Sequence, residues 1–290
     1  MQKVVVCGQS TVTVRVCERL IQSPLPLGVA LEATDAAALD FERLAALALL
    51  GANDFAKATA KSLASADVLI FTDYGDEPAE AVRGENVARM RRVLNAAMAA
   101  GFGGVVLVAT REAAVGTYFA QRISGLPKAD VFGVGTLALS ACFERFLATR
   151  FAVPLSAVTA YAVGTQQDYV LLWSRAYIGT TPALSLMKDL DAGAIMQDAL
   201  GACDAFAAAT GAAVWAAAVE RLLAALAGDA LLAPVTTLVD RDDGPLAIAQ
   251  PMLVDGRGAT LLAPVTGDNA EQDELAAIEA KVLAKLSTID

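Results

Sequence analysis

The residues of this chain best suited to chemistry lie between Arg111 and Tyr169, and none is a histidine, because the 290-residue sequence has none. Arg111 offers a fixed cation with five hydrogen-bond donors. Cys142 offers a sulfur nucleophile, but it lacks a histidine to activate it. Leu139, three residues before it, emerges on the same helical face, with Phe143 and Phe146 beside them, and a thiol among apolar neighbours stays protonated. Gln166 donates and accepts hydrogen bonds without being able to carry a proton, so the ~10²–10⁴ in rate that general acid–base catalysis supplies is out of its reach. Asp168, followed by Tyr169, is the carboxylate of the group. One reading has it holding loop amides; the other makes it a base.

A second set of residues opens the chain. Lys3–Cys7 is a short β-branched run that leads into Gly8-Gln9-Ser10-Thr11-Val12-Thr13, and Glu32 closes the next strand-like run. A helix is expected over Val12–Gln22, strands over Gly28–Glu32 and Val68–Thr72, a helix from about Ala36 to Leu50, another over Ala79–Ala100, and a strand over Gly104–Ala109. Alternation of this kind predicts an α/β fold with a mostly parallel sheet and helices on both faces. From about Ser140 the pattern changes. Helices over 184–210 and 213–228 precede strand-like runs at Leu231–Asp240, Ala247–Leu253 and Ala259–Leu262, and an amphipathic helix closes the chain over Asp268–Ile289.

Composition narrows the function classes. A formal charge of −10 opposes nucleic-acid binding and adhesion to anionic lipid. The chain is 56% hydrophobic with a mean hydropathy of +0.51. Its longest nearly uncharged run, Ala205–Val219, nevertheless falls short of the roughly 20 residues of a membrane span. The first residues enter a strand at once, which leaves no signal peptide in the sequence as read. Cys7, Cys17, Cys142 and Cys203 are widely spaced, so free thiols and a cytoplasmic location are expected, and no metal site is.

The segment Ser-Gly-Leu-Pro-Lys-Ala-Asp-Val-Phe-Gly-Val-Gly-Thr (124–136), then Gly164-Thr-Gln-Gln-Asp168 and Trp173-Ser174, resembles the lactate/malate dehydrogenase family. The family pattern is S-G-x-P-x-x-x-V-x-G-x-G-T, L-D-x-x-R-F, G-x-H-G-D and W-S. The resemblance implies a Rossmann-type doubly wound parallel sheet over 1–139 and an α+β C-terminal domain over 140–290. It also implies a homo-oligomer, dimer or tetramer, for which the apolar composition gives independent reason.

Against that pattern the framework residues match and the chemical ones differ. Leu139 stands at the family's aspartate, Cys142 at its substrate-binding arginine, and Gln166 at its catalytic histidine. Of G-x-G-x-x-G only Gly8 remains. Ser10 places a side chain where backbone should meet pyrophosphate, and Thr13 where helix should pack closely on strand. Glu32 falls where the family holds a ribose, or simply begins a helical connection. Arg111 replaces an asparagine that touches cofactor and substrate. It is read either as a relocated anion grip or as the partner of Glu112 or Asp73. The lid segment Thr72–Asn86 is shortened by about four residues, with Arg83 out of register. The expectation is a dehydrogenase fold without dehydrogenase chemistry and without NAD as a working cofactor, acting as a binding or scaffold protein with a small anionic ligand or protein partner. Two alternatives stand beside it: an enzyme with repurposed cleft chemistry built on Arg111, Gln166 and Asp168, and residual NAD-dependent activity on a 2-hydroxy or 2-oxo acid.

Overall fold

The run Val4-Val5-Val6-Cys7 is apolar without alternation, so its strand needs cover on both faces, and both are covered. Val4 and Val6 pack on one side with Val16, Leu20, Trp215 and Leu222; Val5 and Cys7 pack on the other with Met90 and Leu94. The computed structural model describes residues 1–32, 38–241, 244–262 and 266–289, the side chains of 38–40 excepted.

The first half runs β1 (Gln2–Cys7), α1 (Thr11–Ile21), β2 (Leu27–Glu32), α2 (Ala38–Ala48), β3 (Asp54–Lys57), α3 (Ala60–Ala64), β4 (Val68–Phe71), α4 (Ala79–Ala99), β5 (Val105–Val108), α5 (Ala113–Ser124) and β6 (Val131–Gly133). These six strands lie parallel in the order β3-β2-β1-β4-β5-β6, the order of a dinucleotide-binding fold.

The second half begins with α6 (Leu137–Arg150), then β7 (Val158–Thr159), β8 (Ala162–Gly164), β9 (Tyr169–Leu171), β10 (Tyr177–Ile178) and β11 (Thr181–Pro182). It continues with α7 (Ala183–Leu186), α8 (Ala192–Ala209), α9 (Ala212–Ala227), β12 (Leu231–Val239), β13 (Leu246–Asp255), β14 (Gly258–Thr260) and α10 (Asn269–Leu286). β12 pairs antiparallel with β6, and β13, β8, β9 and β14 extend the same sheet, so both halves share one sheet. The expected boundary at 139/140 falls in the first turn of α6. β7, β10 and β11 form a small separate sheet.

Three local expectations need correction. The helix expected over 184–210 is interrupted: α7 stops at Leu186, and Asp191 starts α8 afresh by accepting the Ala194 amide at 3.0 Å. An aspartate side chain in the cap position competes with continued helix. β3 and α3 were not anticipated, because β3 is mostly exposed and shows no apolar alternation. The last strand is shorter than Ala259–Leu262, ending at Thr260. The expected start of the second helix at Ala36 lies outside the described residues. Among those residues no single helix is long and apolar enough to cross a membrane; α8 and α9 together pass that test but are bent by 100°.

Candidate functional site

In a parallel sheet of this order the ligand crevice lies at the carboxyl ends of the strands. Those ends here carry Gly8, Glu32, Thr72-Asp73 and Ala109–Arg111. Gly8 must lack a side chain, because a Cβ there would collide with Thr72 Oγ1 and stand 3.0 Å from the Asp73 carbonyl. The β4–α4 connection therefore presses directly on the β1–α1 turn.

That pressure accounts for the turn's backbone donors. The amides of Gln9 and Ser10 donate to the Asp73 carbonyl at 3.0 and 3.1 Å. The Ser10 amide also reaches Thr13 Oγ1 at 2.9 Å, and the Thr13 amide reaches Ser10 Oγ at 3.4 Å, a reciprocal cap at the head of α1. Thr13 Oγ1 lies 2.7 Å from Thr72 Oγ1, which donates to the Cys7 carbonyl. Finally, the carboxylate of Asp76 receives the Thr11 amide at 2.9 and 3.1 Å and the Thr11 hydroxyl at 2.6 Å. The head of a helix is a ready anion site. Here an aspartate of the same chain fills it.

Glu32 is engaged as well. Its Oε2 accepts from the Tyr74 hydroxyl at 3.4 Å, Tyr74 is buried, and the Arg89 guanidinium lies 5.0 Å over the Tyr74 ring while donating to Gln9 Oε1 at 3.0 Å. Burial first, then the charges of Cys7 and Glu32, push the Tyr74 hydroxyl far above the usual tyrosine range.

Of the two readings of Arg111, the observed contacts are those of an internal pair, with Asp73 and not Glu112. Its Nε approaches Asp73 Oδ2 at 3.3 Å, and its terminal nitrogens donate to the carbonyls of Gly75 at 2.9 Å and Asp76 at 3.3 Å. Asp73 is also met by the Arg111 amide at 3.0 Å and by Asn86 Nδ2 at 2.8 Å. Burial still leaves its carboxyl above the ordinary aspartate value, against the lowering effect of Arg111 and Asn86. Glu112 belongs instead to Arg83, at 2.7 Å, and to Lys285, at 3.5 Å. Burial alone would raise its carboxyl; those two cations hold it below its usual value.

The remaining candidates separate. Leu139 is buried in a cluster with Phe143, Leu171 and Trp173, the two rings meeting edge to face at 4.8 Å. Cys142, on the same helix, is partly buried, and its thiol points to the Ala202 carbonyl at 3.9 Å. Gln166 donates to the Gly135 carbonyl at 3.0 Å, and Gln167 to the Arg111 carbonyl at 2.6 Å. The Asp168 side chain does not hold loop amides as expected. It pairs with Lys281 of α10, while Thr165 Oγ1 closes the loop by accepting the Asp168 amide at 3.0 Å. Arg111, Gln166 and Asp168 thus each engage a different internal partner.

The space around Gln166 is correspondingly small. One cavity of about 10 Å³ is walled by Gly135, Ala138, Gln166, Val214 and Trp215, and another of about 10 Å³ by Glu112, Ala113, Gln167 and Lys285. Each has room for about one water. A crevice of about 790 Å³ does exist, but it lies at the opposite, amino-terminal ends of the strands, beside Gln2, Leu27, Asp67 and Gly104. Asp76, Tyr74 and Trp215 were missed from sequence. Asp76 and Tyr74 sit in a short connection with no motif, and Trp215 lies in an alanine-rich helix where an aromatic reads as ordinary core.

No protein-family model matches the chain. Among curated proteins it is 39% identical over 105 residues to L-lactate dehydrogenase of Geobacillus stearothermophilus, covering 36% of this chain and 33% of that protein. It is 31% identical over 206 residues to L-lactate dehydrogenase of Bacillus pumilus, covering 66% of this chain and 65% of that one. The aligned sequence thus spans between a third and just under two thirds of these relatives' length. In three dimensions, the ligand-bound minor L-lactate dehydrogenase of Enterococcus mundtii superposes with a TM-score of 0.85 at 20% identity, covering 100% of this chain and 98% of that one. A lactate dehydrogenase from a deep-sea metagenome superposes with a TM-score of 0.84 at 21% identity, covering 99% of each chain.

Proposed function

From the premise that this chain belongs to the lactate/malate dehydrogenase family, we propose that it is a non-dehydrogenase member, a binding or scaffold protein built on an oxidoreductase fold. The observation that carries this reading is the head of α1, where Asp76 and the Asp73 carbonyl receive the amides of Gln9, Ser10 and Thr11. A dinucleotide's pyrophosphate needs those donors, and a carboxylate in their midst repels it. Tyr74 against Glu32 gives the same result at the ribose position. The relatives named as lactate dehydrogenases belong to a family that uses NAD, and the residues of this turn do not fit that cofactor.

The reacting end supports the same reading. Reduction of a ketone needs a proton delivered to oxygen, and Gln166, donating to the Gly135 carbonyl, has none to give. Leu139 is buried among apolar side chains where the resemblance places an aspartate. Cavities of about 10 Å³ beside Gln166 hold a water, not a 2-oxo acid. Function then resides on the outer surface, in self-association and in contact with a protein or small anionic partner.

Turnover tests this. A homogeneous preparation given NADH with pyruvate or oxaloacetate, or NAD with lactate or malate, is expected to show no rate above the uncatalysed one. A rate that co-purifies with the chain and falls on Gln166→Ala or Asp168→Asn would overturn the proposal in favour of an active enzyme.

A further inference from the structure

Two thiols meet where α6 packs on α8. The Cys142 side chain crosses from α6 to the α8 backbone at Ala202, and the neighbouring Cys203 thiol is close enough to interact with it electrostatically. α6 and α8 pack directly on each other, and Cys142 packs against the same apolar cluster that contains Cys203. The two thiols differ in access. Cys203 is fully buried, whereas Cys142 is partly exposed on the wall of an apolar groove of about 360 Å³, between Arg145 and Arg221.

We infer that Cys142 and Cys203 form an oxidation site, in which a peroxide entering the α6–α9 groove converts the dithiol to an internal disulfide. In the first step Cys142 sulfur attacks a peroxide oxygen. The O–O bond breaks, a sulfenic acid forms, and the departing oxygen takes up the thiol proton, leaving as water or an alcohol. Cys203 sulfur then attacks Cys142 sulfur; the S–O bond breaks, and hydroxide leaves as water with the Cys203 proton. Two thiols and one peroxide give one disulfide, one water and one further water or alcohol, the two electrons passing from sulfur to oxygen.

The order of events follows from the surroundings. Arg145 and Arg221 place positive charge at the groove where Cys142 is reached. Burial, the Cys142 sulfur and Asp204 push the Cys203 thiol up to about 12, so it resolves and does not initiate. Cys7 and Cys17 form the internal control. Both are wholly buried, at the sheet and in α1, with no route for an oxidant, and burial raises both thiols.

The test treats the folded protein with hydrogen peroxide, quenches it, and counts thiols after denaturation. The count is expected to fall from four to two. Non-reducing peptide mapping is expected to find a Cys142–Cys203 link at about 2 Da below the summed peptides. Cys203→Ser should leave a sulfenic acid on Cys142 that a dimedone probe captures, and Cys142→Ser should leave the other three thiols unreacted. The proposal is overturned by four intact thiols, by a link to Cys7, Cys17 or another chain, or by Cys142 passing to sulfinic acid in the wild type with Cys203 still reduced.

Discussion

Replacing Arg111 with alanine separates a structural cation from one kept for a ligand. Arg111 is the counter-ion of Asp73, whose side chain is 2% exposed, and it also donates to the carbonyls of Gly75 and Asp76. Removing one partner of a buried pair costs about 3–5 kcal/mol. Asp73 keeps the backbone amide of residue 111 and the Asn86 amide, and Arg111 itself is 29% exposed, so a cost at or below the bottom of that range applies, about 2–3 kcal/mol. At about 2–4 °C per kcal/mol the unfolding midpoint should fall by about 4–12 °C.

The loss should also depend on pH with a definite sign. Burial already holds the Asp73 carboxyl above its ordinary value of 3.8, so folding favours its protonated form. A carboxyl raised on folding is penalised in full above its folded pKa and relieved as pH falls through that value toward 3.8. Without Arg111 the raising is larger, so the variant's deficit should be greatest near neutrality and shrink on acidification. Urea denaturation at pH 7 and pH 5 reads this directly. Unchanged stability at pH 7, or a deficit that grows on acidification, would refute the internal-pair account and return Arg111 to the role of an anion grip.

Two further outcomes are expected. The triple variant Leu139→Asp, Cys142→Arg, Gln166→His should be destabilised and show negligible turnover with NADH and pyruvate or oxaloacetate. Leu139 lies in an apolar cluster where unpaired charge is costly, and Asp76 would still fill the head of α1; a stable variant with robust turnover would contradict this. Light scattering at micromolar concentration should give a mass of at least twice 29.9 kDa, since Leu49, Leu50, Leu155 and Leu200 are all exposed, and a monomer would contradict it.

The parallel half of the fold was legible because buried strands such as Val4–Cys7 and Val68–Phe71 are continuous apolar runs between helices with one apolar face. β3 was not, since Asp54–Lys57 is mostly exposed, and the break before α8 depends on the Asp191 cap, which sits in a charged run with Lys188 and Asp189 that equally suits an exposed helical face. At the site, the losses at Ser10, Thr13 and Gln166 could be read because each alters a motif. What fills the resulting space could not. Asp76 reaches Thr11 across 65 positions of sequence, and Trp215, on a distant helix, lines a small cavity with Gly135 and Gln166. Such contacts are set by how the β4–α4 connection and α9 fold back, which no local pattern encodes.

The central claim is that the chain's own Asp76 holds the place of a dinucleotide's pyrophosphate. Calorimetric titration with NADH, beside an intact family enzyme under the same conditions, tests it most directly. The account predicts binding at least about tenfold weaker than the intact enzyme's, a difference of about 1.4 kcal/mol or more. Tight, saturable binding of NADH to the unmodified protein would contradict it.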